Sequence, residues 1–412
     1  MTKLGASLLE QLLEQDRGHR GQRIDCGAGH QAEFVAYRTK TVDTVLGPIS
    51  LNRAYYHCAA CGHGVVPRDD QLGVEGASLS PGLRAMVARV GATAPFATAS
   101  DLLDELAGVE LTTKRVERSA EADGLALAVL ADSTAVAVGA GKVVPLGPAK
   151  PVEKLYIALD GTGVPMVPAE TAGRRGKAAD GRARTREVKL AVCFSQTSVD
   201  EKGRPVRDPV SSSYLATFEA TQHFGWLIYA EARRRGSDRA GQLVVLGDGA
   251  PWIWKLADLH FPSATQVVDF YHAREHLYAL GALLASTLGS DAPGWLDERL
   301  VELANGDIEA LQAAARKLSL HEAQTQDLDK ALGYFQINAE RMRYAHFRKL
   351  GHFIGSGVVE AGCKAVIGQR LKLSGMQWTT RGASGIMTLR CQEASGRWEE
   401  IWSGPNTQMN VA

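Results

Sequence analysis

No apolar run in the 412 residues reaches the roughly 18 that a membrane span requires. The first residues, Met1–Leu13, are amphipathic and lack the pattern of a signal peptide. The expectation is a soluble cytoplasmic protein with no membrane partner. Cysteine is scarce as well. Six cysteines in so long a chain point away from a disulfide framework and toward thiols or bound metal. An excess of charge of either sign is missing too: 46 Lys and Arg balance 46 Asp and Glu, which excludes a uniformly basic nucleic-acid binder. What remains has ordinary globular composition, 45% hydrophobic and 22% charged. The length exceeds what one core supports, so two or three modules are expected.

The cations are clustered rather than spread. Between Arg174 and Lys189 stand Arg174, Arg175, Lys177, Arg182, Arg184, Arg186 and Lys189 against Asp180 and Glu187. From Ala361 to Gln392 there is no acid, while Lys364, Arg370, Lys372, Arg381 and Arg390 occur. Such runs are usually a solvated face. Here both flank acids that end apolar runs, which favours phosphate contact.

Along the chain, residues 1–16 read as a helix. Residues 32–56 alternate as strands around a Gly47-Pro48 turn. Ser80-Pro81 opens a helical region with proline in the first turn. Helices are expected over Ala99–Ala107 and Thr112–Asp123, and residues 134–151, rich in Gly, Val, Ala and Pro, read as a linker. Leu155–Leu159 is a continuous apolar run ending on Asp160-Gly161, as a buried strand entering a turn would. Val188–Phe194 and Ser212–Phe218 follow as strands, Gln222–Arg235 as a helix, and Leu243–Leu246 as a second buried strand, ending at Gly247-Asp248-Gly249. Residues 282–348 read as all-helical.

Two carboxylates at the ends of neighbouring buried strands can hold hard, oxygen-preferring Mg²⁺ ions. A third from a helix completes a two-metal site. Asp160, Asp248 and Glu360 are the candidates. Taken singly, Asp-Gly is turn chemistry, and Glu360 four residues before Lys364 is an ordinary helix-surface pair; the repetition at two strand ends argues for more. Cys26, His30, Cys58 and Cys61 suit a structural Zn²⁺, with His57 and His63 as alternative fourth ligands. Cys193, Cys363 and Cys391 read as small buried apolar residues. The segment Thr98-Ala-Ser-Asp-Leu-Leu, then Gly108, then Thr112-Thr-Lys-Arg-Val116 has the outline of a helix-turn-helix, with Lys114 and Arg115 at the groove-entering end, or of an ordinary helical hairpin.

Together these motifs resemble the DDE transposases of bacterial insertion sequences, in the Mutator-like group. The resemblance covers about residues 20 to 404. It is carried by Leu-Asp160-Gly-Thr-Gly, Leu-Gly-Asp248-Gly-Ala, Asp269-Phe-Tyr-His272 and Ser356-Gly-Val-Val-Glu360, with Arg370-Leu-Lys372 and Trp378 just behind. It implies a multidomain α+β and α/β chain: a zinc-ribbon-like module (1–76), a helix-turn-helix-like domain and linker (77–150), a ribonuclease H-like core (151–281 and 351–412) and an all-helical insertion (282–350). It implies DNA strand cleavage and transfer with Mg²⁺ or Mn²⁺ held by Asp160, Asp248 and Glu360, supported by Asp269 and His272. The expected partners are terminal inverted repeats, target DNA and a second protomer, in a nucleoid-associated protein. Lys114, Arg115, Arg174, Arg175, Arg182, Arg184, Lys364, Arg370, Lys372 and Trp378 are the expected DNA contacts, Trp378 either by stacking on an unpaired base or, instead, as a core or interface aromatic. Two rivals stand beside it. One is a DNA-binding protein with an inactive core. The other is a zinc protease, because His272-Ala-Arg-Glu275-His276 fits the H-x-x-E-H pattern.

Overall fold

Periods of two and of 3.6 residues alternate along this chain, and the elements they build fall into two compact units. The computed structural model describes residues 2–402 apart from 146, 149 and 177. Lys177 of the basic run and residues 403–412 of the last expected domain therefore lie outside the described residues. One unit covers residues 2–124 with 402, and the other 125–401.

The first unit opens with α1 (Thr2–Glu14), then a four-stranded antiparallel sheet in sequence order: β1 (Arg23–Asp25), β2 (Gln31–Thr44), β3 (Gly47–His57) and β4 (Gly64–Val65). The hairpin turn is not at Gly47-Pro48, which lie within β3. It is the two-residue step Val45-Leu46, closed by the Thr44–Gly47 pair, with Thr44 Oγ1 accepting from Leu46 N–H at 3.0 Å. After α2 (Pro67–Gln71) come α3 (Pro81–Thr93), α4 (Phe96–Ala107) and α5 (Thr113–Gly139). Ser80 caps α3 and Pro81 occupies its first turn. Leu83, Val87, Ala99, Leu103, Val109, Leu111 and Val116 form the core these helices share.

Helix α5 is 27 residues long, so it absorbs the first part of the expected linker, and the boundary between the units falls within it. By length and composition it could cross a membrane, which corrects the reading that no segment could. Two of its acids are engaged by protein cations: Asp123 by Arg84, and Asp132 by His223 at 2.7 Å. Only 22% of its apolar window is buried.

The second unit is built on a five-stranded mixed sheet. In chain order come β5 (Lys154–Pro165), α6 (Pro168–Thr171), β6 (Thr185–Gln196), the small hairpin β7 (Ser198–Val199) and β8 (Pro205–Val206), β9 (Ser213–Thr217), α7 (Thr221–Arg234), β10 (Gln242–Gly247), α8 (Pro251–His260) and β11 (Thr265–Val268). The sheet order is β11-β10-β5-β6-β9. β6 is antiparallel to both β5 and β9, whereas β10 is parallel to β5 and β11 to β10. A central strand covered on both faces must be apolar without alternation. Leu155–Leu159 and Val244–Leu246 satisfy this, all but fully buried.

Helices α9 (Phe270–Leu288), α10 (Ala292–Asn305), α11 (Ile308–Arg316), α12 (Glu322–Asn338) and α13 (Tyr344–Lys349) then form the expected helical stretch. The chain returns through α14 (Gly357–Gly362), a π-helical turn (Cys363–Gly368), α15 (Gln369–Leu371) and α16 (Thr380–Ala394). A π turn widens the helix and is found preferentially at functional sites; this one begins three residues after Glu360.

Two of the expected DNA contacts are core residues instead. Arg370 is fully buried and Trp378 is 6% exposed. The Arg370 guanidinium carbon sits 5.1 Å from the Trp378 ring centroid, and the indole N–H donates to the Leu371 carbonyl at 3.0 Å. Trp378 N–H also donates to the Pro165 carbonyl at the end of β5. The cation lies over the ring and neither face is open to a base. Trp378→Ala should therefore cost about 3–5 kcal/mol of stability, as removal of a buried aromatic does, with Trp378→Phe losing less. Denaturant titration measures this; a Trp378→Ala protein of unchanged stability would refute the packing role.

Candidate functional site

The expected turn at Asp160-Gly161 does not exist. β5 runs on through Pro165, with Asp160 opposite Leu190 and Gly161 opposite Lys189. Asp and Gly are both disfavoured inside strands, so turn chemistry no longer explains this pair. On the other side of β5, Leu246 of β10 pairs with Ala158. Asp248 lies two residues past Leu246, just beyond the end of β10, as Asp160 lies two past Ala158 within β5. Asp248 does lie at a strand end, where its Oδ1 accepts from Ala250 N–H at 2.9 Å and shapes the turn into α8.

Glu360 arrives from the other end of the chain. Cross-strand partners share a sheet face, so Asp160 and Leu190 point the same way, toward α14. A Cβ on Gly362 would lie 3.0 Å from Leu190 Cδ2 and 2.9 Å from the Tyr214 ring; glycine there is what lets the helix lie this low. The next residue, Cys363, donates its thiol hydrogen to Asp160 Oδ2 at 3.2 Å. Burial, with the Asp160 charge beside it, pushes that thiol far above its ordinary range, so it remains a neutral donor. Asp160, Glu360, Cys363 and His272 line one cleft, together with Thr162, Arg274, Lys364 and Lys372. Lys372 Nζ reaches Thr162 Oγ1. Asp248 is not among the lining residues.

Asp269 does not reach the cleft. It is fully buried and caps α9, Oδ1 accepting from His272 N–H at 2.8 Å, while Oδ2 accepts from Ser356 N–H. Its own N–H donates to the Gly247 carbonyl at 2.7 Å. Ser356 Oγ in turn donates to Glu360 Oε1 at 3.1 Å. One buried residue thus ties the end of β10 through its N–H, and the start of α9 and the approach to Glu360 through its carboxylate. Ser356 and Cys363 were not singled out as site residues from the sequence. Cys363 stands at i+3 from Glu360, the spacing of one helix face, and that signal could have found it.

The expected basic contacts divide. Arg174, Arg175, Arg182 and Arg184 are exposed, on a loop folded back on itself by an Arg175–Arg182 bridge. Arg184 is paired with Asp180 at 2.9 Å. Lys364 and Lys372 are exposed at the cleft. In the first unit, α4 ends at left-handed Gly108 and α5 starts at Thr113, the outline of the expected pair of helices. Lys114 is exposed and reaches Glu117 at 2.6 Å. Arg115 is bound to Asp43 and, at 3.0 Å, to Ser78 Oγ. It ties α5 to the hairpin strand rather than projecting toward a groove.

In the same unit Cys26, His30, Cys58 and Cys61 come together, all four ligand atoms within 4.8 Å of one another. Cys61 Sγ lies 3.7 Å from Cys26 Sγ. A tetrahedron with Zn–S near 2.3 Å has sulfur–sulfur edges of about 3.8 Å, so the donor set fits zinc. His30 completes it rather than His57 or His63. Cys26 N–H donates to the His30 carbonyl and Cys58 N–H to the His63 carbonyl, closing a tight loop on each side. Backbone N–H donation from Cys61, with the Cys61 thiol second, lowers the Cys58 thiol below its ordinary value. Among the described residues this is the one set of three or more His, Cys, Asp or Glu side chains that converges so closely. His272 and His276 do not form another: His276 stacks on Tyr334 with ring centroids 3.7 Å apart. The zinc-protease reading loses its ligand pair.

Freshly purified protein should carry about one equivalent of zinc, and His30→Ala should lower it while His57→Ala and His63→Ala do not. Strong chelation should unfold this module locally. Metal analysis finding no zinc would refute the assignment.

No protein family model matches the chain, and no curated protein does. Among solved structures it is similar to the Drosophila P element transposase strand transfer complex, at 12% identity over 79% of this chain and 81% of that one, with a TM-score of 0.25. That likeness is too slight to carry an argument.

Proposed function

We propose that this chain is a metal-dependent DNA transposase of the DDE class, with Asp160, Asp248 and Glu360 as its acids. The observation that carries the reading is the site's construction. Asp160 in β5 and Asp248 just past β10 each follow the Ala158–Leu246 pair by two residues, and a helix from the far end of the chain brings Glu360 into the cleft that Asp160 lines. The strand order supports it: three antiparallel strands, with two more laid parallel to the first on its far side, fit a ribonuclease H-like core, and the all-helical stretch falls between the second and third acids. The motifs resembling bacterial Mutator-like enzymes support the same reading.

Three carboxylates are hard oxygen donors of the kind Mg²⁺ or Mn²⁺ takes. Such ions, when bound, supply Lewis-acid activation of water and of the phosphodiester. The chain's own residues do the rest. Lys364, Lys372 and Arg274 around the cleft offer positive charge to a phosphate backbone entering over the acids. Cys363 holds Asp160 and Ser356 holds Glu360, so neither carboxylate swings freely. The exposed arginines of the 174–184 loop extend the basic surface, and Lys114 with the helices of the first unit reads the element end. The substrates are the terminal inverted repeats and a target DNA. Joining two ends calls for two protomers or more.

Supercoiled plasmid carrying the element ends should be nicked by the protein with Mg²⁺. Asp160→Asn, Asp248→Asn and Glu360→Gln should each abolish nicking and leave DNA binding largely intact. Nicking retained in any of the three would overturn the assignment of that acid. A wild-type protein that binds ends but never cuts favours the inactive DNA-binding alternative.

A further inference from the structure

We infer that the helical insertion clamps the Asp248 turn, with Tyr334 of α12 as the positioning residue. The inference rests on the reading of Asp248 as a catalytic carboxylate. Its observations are separate from that reading.

Tyr334 stands 86 residues after Asp248, and its hydroxyl donates to the Asp248 carbonyl oxygen at 3.0 Å. The ring presses on the next residue. Gly249 has φ +99°, and a Cβ there would lie 2.7 Å from Tyr334 Cε2, so both backbone conformation and ring demand glycine. The other side of the ring is held by His276 of α9, stacked at 3.7 Å between centroids with planes 16° apart. Phe335 packs edge-on at 5.4 Å.

The consequence concerns the Asp248 side chain. Its Oδ1 is aimed by the Ala250 N–H, so carboxylate direction depends on the shape of the 248–250 turn. A turn with a left-handed glycine at its centre is soft. A metal ligand must be held to within about 0.5 Å. Tyr334 supplies the stiffness from outside the sheet, and α9 and α12 carry it into the insertion. The insertion thereby does more than space the second acid from the third.

The test compares Tyr334→Phe and Tyr334→Ala with wild type and Asp248→Asn in two measurements: amide hydrogen exchange at Gly249 and Ala250, and nicking rate against Mg²⁺ concentration. Tyr334→Phe keeps the ring and loses one hydrogen bond. Ala250 exchange should speed up, and the half-saturating Mg²⁺ concentration should rise roughly threefold to tenfold, the equilibrium equivalent of one neutral hydrogen bond. The rate at saturating Mg²⁺ and the melting temperature should stay near wild type. Tyr334→Ala should show a larger shift in both measurements. Unchanged exchange and an unchanged Mg²⁺ midpoint in Tyr334→Phe would overturn the clamp, while loss of nicking in Asp248→Asn leaves the catalytic reading standing. If wild type shows no Mg²⁺-dependent nicking, the catalytic reading falls and the exchange measurement alone decides the clamp.

Discussion

The pairing of β5 with β10 is the constraint on which the rest of the larger unit depends. A parallel pair cannot slip by one residue without turning every side chain to the opposite face. With both faces of Leu155–Leu159 and Val244–Leu246 buried, any slip would expose or crowd the core. The register is therefore set by burial along ten or so residues, and the acids just beyond inherit it. The hydrophobic core below fixes Asp160 within β5, as rigid elements position side chains more accurately than loops, whereas Asp248, just past β10, depends also on the 248–250 turn.

The third acid has no such ladder, and its placement is indirect. The Asp269 carboxylate accepts two backbone N–H groups, from His272 and Ser356, while Phe270 N–H donates to the Ile354 carbonyl at 2.8 Å. A buried carboxylate receiving N–H donors makes strong, charge-assisted bonds. Removing it would leave those donors buried and unpaired. Segment 354–356 is thus pinned to the end of β11, and α14 starts from a fixed point. The close pass of Gly362 over Leu190 and Tyr214 then sets how low the helix lies. Two local contacts place Glu360 where 200 residues of intervening chain could not.

What the sequence made legible was whatever depends on local period and composition. The central strands, the helical stretch and the Cys26–Cys61 cluster fall here, the last because thiolate spacing is itself geometry. The hairpin turn was misplaced because Gly47-Pro48 carries the stronger local turn signal, while pairing of the long strands puts the reversal at Val45-Leu46. Asp160 was read as a strand end for a similar reason: nothing local shows that β6 continues to pair β5 as far as Pro165. Arg370 and Trp378 were misread because a stretch without acids looks like a surface. A buried arginine stacked on an indole leaves the same trace in composition as one reaching for phosphate. Tyr334 and Ser356 act across 86 residues and across a fold-back respectively, and no period records such contacts.

Arg115 shows how the same logic reshapes the smaller unit. Its guanidinium is taken up by Asp43 and Ser78, and Asp43 N–H and C=O are bonded to Ser78 and Ser80 on the approach to α3. One residue of the hairpin thus holds both the start of α3 and the start of α5. The expected boundary at residue 76 falls inside this interlock, and the residues on both sides of it lie in one compact unit. With Arg115 committed inward, the cations left exposed on the first turns of α5 are Lys114 and Arg118. They stand four residues apart, on one face of the helix. The Arg115–Asp43 ion pair behind that face ties it to the hairpin strand.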